Sequence, residues 1–116
     1  MTRKIALVAS LSVGLALMLS TAARADEGED LWLDYCVSCH GETGQGNGPA
    51  AVSLKTKPAN LADCEKMGKL SDEKIANVIG EGGAANDLSD DMASFSDRFD
   101  SDQIDSLVEY IRGFCK

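Results

Sequence analysis

The amino-acid sequence reads as a small all-α domain of three to four short helices separated by long loops. Apolar residues recur at the three- and four-residue intervals of a helix face in three stretches, and good capping residues open two of them. The segments between are rich in Gly, Ser and Asp and lack the alternation that a strand requires. With 116 residues, 44 % apolar and 26 % charged, the chain suits one globular domain and not two. Its 19 Asp and Glu outnumber 11 Lys and Arg, and the net charge of −8 argues against nucleic acid as a partner. The single His excludes any site that needs two.

Residues 1–25 are expected to leave the fold. Arg3 and Lys4 give a positive start, residues 5–19 are mainly apolar, and Ala23-Arg24-Ala25 forms an A-x-A cleavage pattern directly before Asp26. This is the three-part layout of a secretory signal peptide. An uncleaved anchor would need about 20 apolar residues, and Ser10, Ser12 and Gly14 dilute a run already shorter than that. Cleavage leaves residues 26–116 as one domain, in the periplasm and without a membrane span. With Arg3, Lys4 and Arg24 gone, 8 Lys and Arg against 19 Asp and Glu give a net charge of −11. A domain this small buries only about 60–65 % of its unfolded surface, so a disulfide or a cofactor is expected to supplement its core.

The first helix is expected over 27–36, with Leu31, Trp32 and Tyr35 at i, i+1 and i+4. A Gly-rich loop with one Pro, 41–57, follows. The second helix opens at Ser71, carries Ile75, Val78 and Ile79, and stops at Gly82-Gly83. A loop rich in Gly, Ser and Asp, 82–98, leads to the third. That helix opens at Asp100, with Gln103 placed to complete a capping box, and carries Ile104, Leu107, Val108 and Ile111 on one face. Leu70 and Phe99, each just before a cap, are placed to pack on Ile75 and Ile104 as hydrophobic staples. Helices this short are marginal alone, so their faces must dock. Loops this long need a reason.

Cys36-Val37-Ser38-Cys39-His40 is C-x-x-C-H, the attachment signature of c-type haem. Residues three and four apart share a helix face, so Cys36 and Cys39 can each add a thiol across one of two neighbouring vinyl groups. His40 is then held beneath the ring with its imidazole aimed at the iron. Two other chemistries use similar residues. A thioredoxin-like dithiol would want a βαβ setting, which is missing here. A zinc site could draw on Cys36, Cys39, His40 and Cys64. Zinc ligands, however, sit on knuckle turns rather than at the end of an amphipathic helix, and export would expose those thiols to oxidation.

With these residues in hand, residues 26–116 resemble a class I cytochrome c, the small monohaem periplasmic kind. Gly28 and Trp32 stand eight and four residues before Cys36, where that family has a Gly and an aromatic that let its first and last helices cross. Leu107 and Tyr110 match the residues of the last helix that meet them. The resemblance implies a cytochrome c fold wrapped around one covalent haem. The loop Gly41, Gly44, Gly46, Gly48, Pro49 resembles the family's Gly-rich loop, which implies that the Pro49 carbonyl accepts a hydrogen bond from His40 and orients its ring. Pro58-Ala59-Asn60-Leu61 is similar to the family's P-A-D-L segment, with Asn for Asp. Met92, in Asp91-Met92-Ala93-Ser94-Phe95, falls where the family has its M-P-x-F ligand loop, which implies Met92 as the second axial ligand. Ala93 departs from the usual Pro, which leaves an open or labile site as the alternative. Met67 reads as a packing residue. Cys64 and Cys115 are an even remainder expected to pair as a structural disulfide in an oxidising compartment, the alternative being two free thiols.

Iron held by His40 and Met92 has no position free for oxygen, which implies a soluble one-electron carrier and not an enzyme. The negative charge, with Asp87, Asp90, Asp91, Asp97, Asp100, Asp102 and Asp105 crowded near Met92 and the third helix, points to redox protein partners with a basic docking patch. Lys55, Lys57, Lys66, Lys69 and Lys74 read as solvated surface, and the chain as a monomer. Two other classes remain: a haem subunit of a periplasmic oxidoreductase, and a ligand-binding or sensor haem protein in which Met92 is displaceable.

Overall fold

The computed structural model describes residues 12–116, with side chains from Ala22 onward. Among them are five α-helices and no strand: α1 (Ser12–Tyr35), α2 (Val37–His40), α3 (Cys64–Gly68), α4 (Asp72–Glu81) and α5 (Ser101–Arg112). Single 3-10 turns occur at Ala51–Ser53, Ala84–Asn86 and Gly113–Cys115. Residues 1–11 of the expected signal lie outside the described residues. The rest of that segment is helical and continuous with the expected first helix, so α1 begins well before residue 27. Neither Gly nor Pro stands at the expected cleavage point, and the alanines around it favour helix. No helix among the described residues is long and apolar enough to cross a membrane.

Capping fixes the later helices where the sequence places them. Ser71 Oγ accepts from Lys74 N–H at 3.0 Å to open α4, and Gly82 closes it. Asp100 and Gln103 form the reciprocal capping box of α5, at 2.9 and 3.0 Å. Phe99, just before that cap, is buried, whereas Leu70 before α4 stays 40 % exposed. Beyond the three helices placed along the sequence lies α3, which Asp63 opens by accepting from Lys66 N–H at 3.2 Å. Met67 lies on α3 and is buried, as a packing residue should be.

The fold is organised by the crossing of α1 over α5. A Cβ on Gly28 would collide with the Ser106 carbonyl and come within 3.1 Å of Tyr110 Cβ, so the two backbones can meet only at a glycine. Ser106 is the small residue opposite, fully buried, with its hydroxyl donated to the Asp102 carbonyl at 2.9 Å. Trp32 and Leu107 pack beside this contact with Met67, Ile75, Ile79, Phe99, Val108 and Ile111, which together form the core. Trp32 also meets Tyr110 and Phe114, at ring-centroid distances of 5.9 and 5.0 Å.

The end of α5 is fastened to the α3–α4 joint. Arg112 donates to the Met67 carbonyl at 2.7 Å, to the Leu70 carbonyl, and to Asp72 Oδ1 at 2.8 Å. Close by, the sulfurs of Cys64 and Cys115 face each other with Cα atoms 5.4 Å apart, inside the range that a disulfide spans.

Candidate haem site

The C-x-x-C-H segment is one helical turn set just past α1. Cys36 N–H still donates to the Trp32 carbonyl at 2.9 Å, and His40 N–H donates to the Cys36 carbonyl at 3.0 Å, so helical bonding carries through. A four-residue helix has no stability of its own. The following loop supplies it by folding back along α2. Ala50, Gly48 and Gly46 N–H groups donate to the carbonyls of Ser38, Cys39 and His40 at 2.8, 3.1 and 2.8 Å. Those are carbonyls that a helix C-terminus leaves unpaired. The loop is pinned in turn by Leu61 N–H on the Gly44 carbonyl at 2.7 Å. Asn60 Oδ1 accepts from Ala62 N–H at 3.0 Å, which turns the chain just after Leu61.

Haem attachment needs two free thiols, a ligating imidazole and an apolar setting, and these residues fit. Cys36 and Cys39 are unbonded, half-buried thiols. Burial, with Cys39 beside it, pushes the Cys36 thiol up to about 11, so it is protonated at neutral pH. Burial lowers the His40 pKa below the usual 6.5 and keeps the imidazole neutral, with a lone pair available. Its Nδ1 is buried and has no hydrogen-bond partner, the Pro49 carbonyl included; Trp32 Nε1 is likewise orphaned. The two rings lie 5.7 Å apart. Among the described residues, no cluster of three or more His, Cys, Asp or Glu is placed to hold a metal ion.

Met92 lies half-buried on the loop after α4. That loop is tied to α4 by Gly83 N–H on the Met92 carbonyl at 2.9 Å, Phe95 N–H on Ile79 at 3.1 Å, and Ser96 N–H on Gly80 at 3.0 Å. Two contacts bring it against the motif and its loop. Tyr35, the residue before Cys36, meets Phe95 and Phe99 edge-on at 6.2 and 5.1 Å, and those two rings stack on each other at 5.2 Å. Lys55 N–H donates to Asp91 Oδ2 at 3.2 Å and so joins the two long loops beside Met92. The large apolar residues that stay exposed include Val52 on one loop, Leu88 on the other, and Tyr35 itself.

Sequence reasoning missed Ser106, Tyr35 as a bridge, Arg112, and Asn86, whose amide donates to the Gly82 carbonyl at 2.9 Å. Of these only Tyr35 carried a signal, as an aromatic directly before the motif.

A family model described as cytochrome c oxidase, cbb3-type, subunit III, matches residues 23–111. No curated protein matches the chain. Among solved structures, the KustC0563 c-type cytochrome is similar with a TM-score of 0.63 and 31 % identity, over 77 % of this chain and 98 % of its own. A chain of the Kuenenia stuttgartiensis reducing HAO-like protein complex Kustc0457/Kustc0458 shares the fold at a TM-score of 0.66 and 21 % identity. That alignment takes in 81 % of this chain and 44 % of the other.

Proposed function

This chain belongs to the c-type cytochrome family described as cytochrome c oxidase, cbb3-type, subunit III, and from that premise we propose that it is a soluble periplasmic one-electron carrier with His/Met-ligated haem. Membership makes it a small monohaem cytochrome of all-α cytochrome c fold, with c-type haem bound covalently and its iron serving electron transfer. When bound, the haem supplies a reversible one-electron couple.

The protein's own residues then have these parts. Cys36 and Cys39 attach the group through thioethers, and His40 gives one axial nitrogen. The observation that carries this is the half-buried His40, its Nδ1 buried, standing one turn after the unbonded Cys36 and next to the unbonded Cys39. Once its other nitrogen is committed to iron, Nδ1–H needs an acceptor, since a buried unpaired donor costs about 1–3 kcal/mol. The Pro49 carbonyl, on the loop that folds back along α2, is the residue we assign to it. Met92 would hold the iron through its sulfur. With His40 and Met92 both committed to bound haem, no site would be left for oxygen, and the reading is of a carrier rather than an enzyme. Residues 1–25 direct export and are removed; Cys64 and Cys115 close a disulfide in the oxidising compartment. The protein works as a monomer that docks basic redox partners.

A ferric absorption spectrum of the holoprotein tests the ligand set. A weak near-infrared sulfur-to-iron band is expected, and a high-spin spectrum without it would overturn Met92 as ligand. The family's description as an oxidase subunit favours a second reading, a haem subunit that works while docked in an oxidoreductase. Co-migration of the native protein with a larger complex on gel filtration would establish that reading over the free carrier.

A further inference from the structure

We propose that Gly83 is the positioning residue for Met92, standing in for the proline that the ligand loop lacks at Ala93. The inference rests on the reading of Met92 as axial ligand. A sulfur can hold iron only if its main chain is fixed to within about half an ångström. The family-like loop would obtain part of that stiffness from a ring at position 93, which fixes φ and narrows the unfolded ensemble. Ala93 supplies neither.

The fixing comes instead from the end of α4. Gly83 N–H donates to the Met92 carbonyl at 2.9 Å, and the Gly83 carbonyl accepts from Asn86 and Leu88 N–H, both at 2.9 Å. The segment 83–92 therefore closes on itself at one residue. Asn86 ties the same loop to α4, its amide donating to the Gly82 carbonyl at 2.9 Å and the Asn77 carbonyl at 3.3 Å, while Lys74 Nζ donates to its oxygen at 3.1 Å. Beyond Met92, the bonds of Phe95 and Ser96 to Ile79 and Gly80 return the chain to that helix. The main chain of Met92 is thus held from both sides.

Glycine at 83 is required by space and not by dihedral angle. Its φ of −67° and ψ of −44° are ordinary helical values that alanine adopts freely. A Cβ there would collide with the Ser89 carbonyl oxygen and come 3.1 Å from Met92 Cβ. Gly83→Ala therefore pushes apart the two chain segments that place the ligand and adds no backbone strain of its own.

The test uses ferric holoprotein and free imidazole, which binds the iron only when the Met92 sulfur has left. Apparent affinity scales with the open fraction, so Gly83→Ala is expected to lower the half-saturating imidazole concentration about tenfold or more and to weaken the near-infrared band. A role confined to general stability would lower Tm and leave imidazole affinity unmoved. Half-saturation within about twofold of the parent, with the band intact, would overturn the proposal. If Gly83→Ala yields no folded holoprotein, Asn86→Ala decides, with a fall of roughly threefold expected and no change counting against the proposal. Met92→Ala separates the two claims. A band that survives Met92→Ala removes the ligand assignment and this proposal with it. A band lost in Met92→Ala but unaltered in Gly83→Ala removes the positioning role alone.

Discussion

Asp63 accepts the Lys66 backbone N–H at 3.2 Å and pairs with the Lys66 ammonium at 3.3 Å, and these donors hold its carboxyl below the usual 3.8, the backbone bond being the larger cause. A carboxyl whose pKa is depressed by folding stabilises the native state fully above its unfolded value. That contribution disappears as pH falls through 3.8 and on through the folded value. Asp63→Asn keeps an acceptor for the cap and removes the titration. The Tm–pH profiles of parent and variant are therefore expected to run parallel above about pH 5 and to converge or cross below it; parallel profiles throughout the acid range would count against the cap as a charged group. Capping also shows what a sequence discloses at this scale. Ser71, Asp100 and Gln103 were readable because each partner lies three residues away, and C-x-x-C-H because its members share one turn. Asp63 was not, since the five residues of α3 are too few to display a period. Arg112 was not either, because its partners lie 40 and more residues away.

Among the elements, the contact of α1 with α5 decides where the C-x-x-C-H turn sits, because α2 follows α1 after a single residue. The resemblance placed Gly28, Trp32, Leu107 and Tyr110 at this crossing, and they meet there. Ser106 went unnoticed because a buried serine in a helix gives the same pattern as an exposed one until its neighbour is known. Gly28→Ala tests the crossing. Alanine improves helix propensity by about 0.8–1 kcal/mol, so a helix that mattered only as a helix would gain stability. The added methyl instead meets the Ser106 carbonyl and Tyr110, and overpacking of this kind costs about 1–3 kcal/mol. A lower denaturation midpoint is expected, by chemical unfolding with m unchanged; a raised midpoint would mean that the helices do not pack at this glycine. The loops were less legible than the helices. Their content was plain, but the bonds that shape them, such as Lys55 to Asp91, join positions 36 apart that no local pattern relates.

On the scale of the whole molecule, two features act beyond any one element. The Cys64–Cys115 junction spans 51 residues and, if closed as we propose, constrains the unfolded chain. The double variant Cys64→Ser/Cys115→Ser is expected to lose about 2–4 kcal/mol in denaturant unfolding while its haem spectrum stays as it was. Arg112 continues to hold the same joint, so the variant is expected to fold. The second feature is charge. Asp91 and Asp100 are engaged, by Lys55 N–H and by the α5 capping box, so part of the acidity near Met92 is structural. Asp87, Asp90 and Asp97 on the same loop stay exposed. Residues 26–116, with 8 Lys and Arg against 19 Asp and Glu, present a negative field that raises encounter rates with a basic redox partner and slows those with an acidic one. Screening shortens that reach to about 10 Å at 0.1 M salt. Electron transfer to a lysine-rich partner, followed by stopped-flow absorbance, is therefore expected to slow steeply as salt rises. Asp90→Lys/Asp97→Lys lowers the rate several-fold at low salt, roughly the scale of steering by local charge, and converges on the parent at high salt. A rate that ignored salt, or a variant slowed equally at every ionic strength, would show that the partner docks elsewhere on the molecule.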